Sequence, residues 1–149
     1  MNLVQKIEHW GDVHHAKWLD LIRIVLGLLI FFKGLAFIGD TDAQKDWILQ
    51  NNTFGFSGLL VMALVHTVAF AHLVGGVLIT FGLLTRFAVV VQIPILLGAV
   101  FFVNLTRGFS ALNSELWLSV MVLMLLILFW IVGSGPYSVD QLMKDHKMK

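Results

Sequence analysis

Four ionisable side chains lie within long apolar stretches of the sequence, and they are the residues best placed to do chemistry. They are Arg23, Lys33, His66 and His72. An ionisable group inside a bilayer is costly, so such residues usually face the protein interior and mark ligand sites, proton paths or ion pairs. We therefore expect any function of the chain to be centred near these four residues.

Lys33 and His66 are predicted to form an outer polar layer. Counted at about 1.5 Å per residue from the outer ends of their predicted helices, Lys33 lies about 8 Å deep and His66 about 10 Å deep. Glu115 and Asn104 border the same side of the bundle. We predict an outward-facing ligand-binding pocket formed by Lys33, His66, Glu115 and Asn104; the alternative is a structural polar network.

A second, inner layer is predicted from Arg23, His72 and Gln92, which lie at similar depths from the opposite face. Asp20 precedes Arg23 by three residues, a spacing that allows an ion pair on one helix face. A structural network is the favoured interpretation. His66 and His72 are separated by about 9 Å of rise and about 120° of rotation, so they do not form one metal or haem site. We predict no metal.

The elements that position these residues are predicted to be transmembrane helices. Hydrophobic residues make up 58% of the 149 residues and charged residues only 13%. A bilayer core needs about 20 consecutive apolar residues per helix. Four stretches are near this length: Leu19–Ile38, Leu59–Phe81, Phe87–Val103 and Leu116–Val132. We predict an all-α integral membrane four-helix bundle, with an up-down topology because only residues 82–86 join the second and third spans.

The distribution of basic residues predicts the orientation. Two basic residues, Lys45 and Arg107, lie on one side of the predicted membrane, and Lys33 lies within the first span. The seven on the other side are Lys6, Lys17, Arg23, Arg86, Lys144, Lys147 and Lys149. The positive-inside rule then places both termini in the cytoplasm. The net charge of +1 argues against nucleic acid as a partner, and we expect no cleavable signal peptide.

Three regions are predicted along the chain. Residues 1–18 form an amphipathic interfacial N-terminal segment, residues 19–133 the transmembrane domain, and residues 134–149 a cytoplasmic tail. Ser138 and Gln141 have the spacing of a capping box and predict a short helix in the tail.

Smaller patterns predict local structure. Gly27 and Gly34 should let a neighbouring helix approach the first span closely, and Gly98 should do the same on the third. Thr41 and Gln44 have capping-box spacing for a short helix in the outer loop.

Three stretches resemble the DoxX-like family of small bacterial membrane proteins. They are LIRIVLGLLIFFKGLAF, AHLVGGVLITFGLLTRFAVV and NSELWLSVMVLMLLILFWIVGSGPYSVD. The resemblance runs from about Leu21 to Asp140. It implies a four-helix bundle in the bacterial cytoplasmic (inner) membrane and an association with oxidoreduction. A related branch supplies the membrane subunit of a thiosulfate:quinone oxidoreductase, and distant relatives are membrane chaperones or cargo receptors.

One position departs from the family pattern. Where this chain has His72, many DoxX-like proteins carry a glutamate that would pair with the arginine matching Arg23. Either Asp20 replaces that glutamate as the partner of Arg23, or the inner layer titrates near neutral pH through His72.

Three functions remain open. The first is a subunit of a membrane redox system with a quinone or small-ligand pocket between the first two spans. The chain has no cysteine and no self-contained catalytic motif, so it would be at most a quinone-linked oxidoreductase subunit whose partner carries the electrons. The second is a non-enzymatic scaffold, chaperone or assembly factor, and the third a small transporter or channel. Expected partners are membrane lipid and either another protein or further copies of the chain.

Overall fold

The computed structural model describes residues 17–51, 55–104 and 114–147, with the backbone alone at 102–104, 144 and 147. Every regular element in these ranges is helical. The elements are α1 (Lys17–Gly39), α2 (Thr41–Gln50), α3 (Gly58–Phe81), α4 (Thr85–Gly98), a π-helix (Ala99–Asn104), α5 (Ser114–Val132) and α6 (Val139–Lys147). The predicted all-α class is confirmed.

Three of these helices, α1, α3 and α5, are long and apolar enough to cross a membrane. Their bounds lie within two residues of the predicted first, second and fourth spans. α4 is shorter, with 14 residues, and the π-helix follows it directly. A fourth span over this region, the four-helix bundle and the orientation of the termini stay predictions.

Glycine allows α1 and α3 to pack closely in antiparallel directions. A Cβ at Gly27 would lie 2.5 Å from the backbone nitrogen of Thr80, and one at Gly34 would lie 2.9 Å from that of Leu73. From the other side, a Cβ at Gly76 would lie 2.8 Å from the carbonyl oxygen of Gly27. The predicted close approach at Gly27 and Gly34 is confirmed, because no larger side chain fits there.

The core lies between α1, α3, α4 and α5. Among its fully buried side chains are Leu26, Ile79, Val89, Leu126 and Phe129. Large apolar side chains also cover much of the outer surface, as expected for helices that face lipid rather than water.

The predicted local features at Ser138, Thr41 and Gly98 differ in what the structure has at each position. Ser138 caps α6 by accepting a hydrogen bond from the backbone amide of Gln141 at 3.2 Å. Thr41 begins α2 as predicted, but its hydroxyl donates to the Phe37 carbonyl at 2.9 Å instead of capping α2. At Gly98, a Cβ would meet nothing within 4 Å among the described residues, so these residues give no close approach there.

The two ends of the chain are described to different extents. Residues 1–16, most of the predicted interfacial segment, lie outside the described residues. The predicted tail contains α6.

Candidate functional site

Arg23 is the centre of a buried polar cluster at one end of the bundle. It is 1% exposed, and its Nη1 lies 2.7 Å from Oδ1 of Asp20. Nη1 also donates to the Ser134 carbonyl, and Nη2 donates to the Tyr137 carbonyl at 2.9 Å. The other carboxylate oxygen of Asp20 accepts from the Tyr137 amide at 3.3 Å. Asp20 is therefore the charge partner of Arg23, and together they hold the chain that follows α5.

The same end of the bundle contains the turn between α3 and α4. Gly82 in this turn has a φ of 66°, and a Cβ there would lie 3.1 Å from Cζ of Arg23. Asp140 of α6 accepts hydrogen bonds from the amides of Leu84 and Thr85, at 2.7 and 3.1 Å. Asp140 thus caps the N-terminus of α4 from a distant part of the chain. This end of the bundle is a structural tie between α1, the α3–α4 turn and α6.

His72 and Gln92 lie together at another level of the bundle. His72 is 6% exposed and contacts the ring of Phe37, with centroids 6.1 Å apart. Gln92 is fully buried, and its Nε2 donates to the carbonyl of Ala71, the residue before His72, at 2.6 Å. Nδ1 of His72 and Oε1 of Gln92 have no hydrogen-bond partner among the described residues. Both side chains therefore keep unused hydrogen-bonding capacity in a buried position.

Of the residues predicted for the inner layer, Asp20 and Arg23 lie together at one level of the bundle, and His72 and Gln92 lie together at another. Arg23 lies against Gly82, whereas His72 lies against Gly34, where a Cβ would be 3.1 Å from Cβ of His72. Ten residues of α3 separate His72 from Gly82, which corresponds to about 15 Å of rise.

Lys33 forms an ion pair with Glu115. Its Nζ lies 2.6 Å from Oε2 and 2.9 Å from Oε1 of Glu115, so both carboxylate oxygens accept from the ammonium group. The two side chains are 39% and 49% exposed. Two residues of the predicted pocket are thus in contact, although they are 82 positions apart in the sequence.

His66 and Asn104 are not brought to this ion pair by the described contacts. His66 is exposed, and its Nδ1 lies 2.8 Å from the carbonyl oxygen of Met62 in its own helix. Gly34 faces His72, so the neighbouring Lys33 is at the level of His72, and His66 is about 9 Å further along α3. The backbone of Asn104 ends the π-helix, but its side chain is outside the described residues.

The arrangement offers donors and acceptors in an apolar setting. Lys33 and Glu115 supply a cation and a carboxylate that are accessible from outside, and His72 supplies a buried imidazole at the same level. Within residues 17–51, 55–104 and 114–147, no group of three or more His, Cys, Asp or Glu side chains is placed to hold a metal ion. Side chains of these types can form hydrogen bonds and exchange protons.

The fold and the site together define a class: an all-helical membrane protein whose apolar helices carry a few paired ionisable groups. The DoxX family model matches residues 18–105, which is more than half of the chain, and the chain belongs to the DoxX family. The comparisons with curated proteins and with solved structures gave no match. The family match includes Asp20, Arg23, Lys33, His72 and Gln92, and it ends before Glu115.

Proposed function

We propose that this DoxX protein is the membrane subunit of a redox system and holds a quinone or similar small ligand beside Lys33. In this proposal it crosses the bacterial cytoplasmic membrane four times, with both termini in the cytoplasm. α4 and the π-helix supply the additional span, because together they run from residue 85 to residue 104, near the required length of about 20 residues. The seven-to-two distribution of basic residues supports the orientation.

The half-exposed ion pair between Lys33 and Glu115 is the observation that carries the proposal. A fully buried pair would be satisfied within the protein, and a pair in water would contribute little. At 39% and 49% exposure, these two side chains remain accessible to a ligand between the helices and the lipid. Such a ligand needs an atom that accepts a hydrogen bond from the ammonium group. Quinones partition into bilayers, and their carbonyl oxygens accept hydrogen bonds.

The residues at this level offer the hydrogen-bond donors and proton carriers that a quinone site needs. A bound quinone would take up two electrons and two protons on reduction. Lys33 would donate a hydrogen bond to a carbonyl oxygen and stabilise the negative charge that develops there. Glu115 would hold and pass a proton, and His72, at the same level of the bundle, replaces His66 as the histidine of the site. Because the chain has no cysteine, a partner protein would supply the electrons.

The experiment compares quinone retention by Lys33→Met with that by Lys33→Arg and Lys45→Gln. A charge-assisted hydrogen bond contributes about 1.5–3 kcal/mol, so its loss in K33M should weaken retention at least about tenfold. K33R keeps the positive charge and should retain part of the ligand. K45Q is the matched control, because Lys45 pairs with Asp42 at 3.6 Å in α2, away from the site.

Quinone is measured in the lipid extract of protein purified in mild detergent, and quinone-dependent turnover is measured with the partner protein. Wild-type protein without bound quinone and without turnover would exclude the proposal. Equal quinone content in the wild type and K33M would exclude Lys33 as the ligand-binding residue.

The second candidate is a scaffold or assembly factor, and the exposure of α2 favours it. α2 contains no buried residue, and the side chains of Asp42 and Asp46 are 91% and 63% exposed. This acidic helix would present a docking surface for a protein with a basic patch. Reversing both charges, Asp42→Lys with Asp46→Lys, should abolish cross-linking to that partner. The scaffold function predicts that K33M leaves the cross-link unchanged, and an unchanged cross-link in the charge-reversed variant would exclude α2 as the docking surface.

A further inference from the structure

The short helix α6 has an apolar face that the rest of the protein leaves uncovered. Val139, Leu142 and Met143 have i, i+3, i+4 spacing and share one face of the helix. Leu142 is 64% exposed and Met143 is 43% exposed. In water, such a face would favour association with another apolar surface.

Two lysine positions of α6 lie on a different side from the apolar residues, whereas His146, four residues after Leu142, lies on the apolar side. Asp140, Lys144 and Lys147 follow i, i+4, i+7 spacing, and Lys149 follows the helix in the sequence. The charge of Asp140 is directed inward, because its carboxylate accepts two backbone amides at the start of α4. The carboxylate of Asp140 is therefore engaged within the protein.

Asp140 also fixes where α6 lies relative to the bundle. Besides its two carboxylate contacts, its backbone amide donates to the Gly82 carbonyl at 3.0 Å. α6 is thus attached to the α3–α4 turn by three hydrogen bonds. Three large apolar side chains in and beside that turn are more than half exposed: Phe81, Leu84 and Phe87. The start of α6 therefore adjoins exposed apolar side chains at this end of the bundle.

We propose that α6 lies in the plane of the membrane interface and binds anionic lipid headgroups. Its apolar face packs against the ends of the acyl chains, and its lysine positions attract phosphate groups of the same leaflet. An apolar face flanked by basic positions is typical of helices that bind membrane surfaces, and basic residues near an anionic surface strengthen that binding. Asp140 sets the depth of the helix by holding it to the bundle. This inference is independent of the redox proposal.

The absence of cysteine from the chain makes the test direct, because a single introduced cysteine can be labelled in the full-length protein. Met143→Cys and Asp145→Cys each receive an environment-sensitive fluorophore. Both positions are exposed, and they are two residues apart, which places them about 200° apart around the helix. Asp145→Cys is thus a matched control at almost the same distance along α6.

The labelled proteins are reconstituted into vesicles of phosphatidylglycerol and phosphatidylcholine, with bromine atoms on the acyl chains as the quencher. The label at Met143→Cys should be quenched several-fold more strongly than the label at Asp145→Cys. Equal quenching at the two positions would overturn the in-plane orientation. Efficient disulfide cross-linking between two Met143→Cys chains would also overturn it, because the face would then be covered by a second copy.

Headgroup binding has a separate readout. Quenching at Met143→Cys should decrease when phosphatidylglycerol is replaced by phosphatidylcholine, and Lys144→Gln with Lys147→Gln should remove that difference. Quenching that does not depend on the headgroup in the unsubstituted lysine background would contradict the anionic lipid site.

Discussion

Replacing Arg23 by methionine should strongly destabilise the protein. The substitution keeps most of the side-chain volume but removes the cation beside Asp20, whose side chain is 5% exposed. A buried carboxylate that loses its cationic partner typically costs about 3–5 kcal/mol of unfolding free energy. The two carbonyl groups that Arg23 contacts lose a donor as well, but they lie at the end of the bundle, where water can replace it. We therefore expect R23M to lose about 3–5 kcal/mol.

The double variant Asp20→Asn, Arg23→Met isolates the origin of this effect. It removes the carboxylate together with the guanidinium group, so no uncompensated charge remains. Its loss should then be limited to the missing hydrogen bonds, about 1–3 kcal/mol. The control is Lys45→Met, which removes the two ion pairs of Lys45 within α2 and should cost at most about 1 kcal/mol.

The assay is reversible unfolding in mixed micelles with increasing dodecyl sulfate, followed by the fluorescence of the five tryptophans. The order of stability should be wild type, then Lys45→Met, then the double variant, then R23M. If the double variant is no more stable than R23M, the unpaired Asp20 is not the source of the loss, and the charge argument fails.

Three other substitutions test separate parts of the structure. Gly76→Ala places a Cβ 2.6 Å from a backbone nitrogen of α1 and should cost about 1–3 kcal/mol in the same unfolding assay. Gly98→Ala, whose Cβ would have no described atom within 4 Å, should be neutral or stabilising, and equal effects of the two substitutions would refute the packing argument. Asp140→Ala should lower the free energy of unfolding by about 1 kcal/mol and speed hydrogen exchange of the amides at the start of α4. Asp145→Ala should leave that exchange unchanged, and slow exchange in both variants would exclude the cap. His72→Leu should keep or raise stability, because the Nδ1 of His72 has no hydrogen-bond partner among the described residues, but it should lower quinone retention. Retained quinone would exclude this histidine from the site.

The helices themselves were predictable because their signal is long and repetitive. A bilayer demands about 20 apolar residues, and the second predicted span, Leu59–Phe81, differs from α3 by a single residue. The close approach at Gly27 and Gly34 was equally predictable, because small residues at helical spacing are typical of contacts between membrane helices. The ion pair between Asp20 and Arg23 follows from their spacing of three.

The relative depth of the polar residues was not predictable in the same way. Counting from helix ends assumed that the outer ends of α1 and α3 are level. In the structure Gly34 faces His72, so the first turns of α3 extend beyond the end of α1. α2 packs against that part of α3: a Cβ at Gly58 would lie 4.0 Å from the side chain of Leu49. The length of a helix is set by its own sequence, but its offset against a neighbour depends on a third element.

The amino-acid sequence also contains no pattern that identifies the partners of Arg23 other than Asp20. Two are backbone carbonyls, of Ser134 and Tyr137, and every residue has a carbonyl. Asp140 is a comparable case, because an acidic residue in a first helical turn suggests a favourable interaction with its own helix dipole. Its carboxylate instead serves α4, and only the three-dimensional arrangement reveals this.

The contacts of Arg23 also have a consequence for the order in which the protein is made. α1 is synthesised and inserted before the later helices, and at that stage Arg23 has Asp20 as its neighbour within the helix. The carbonyl acceptors arrive 111 and 114 residues later, after α5 has been translated. Until then, the guanidinium group of Arg23 lacks both carbonyl acceptors, in a segment bound for the membrane. The end of the bundle where Arg23 lies therefore completes its hydrogen bonds only after α5 has been made.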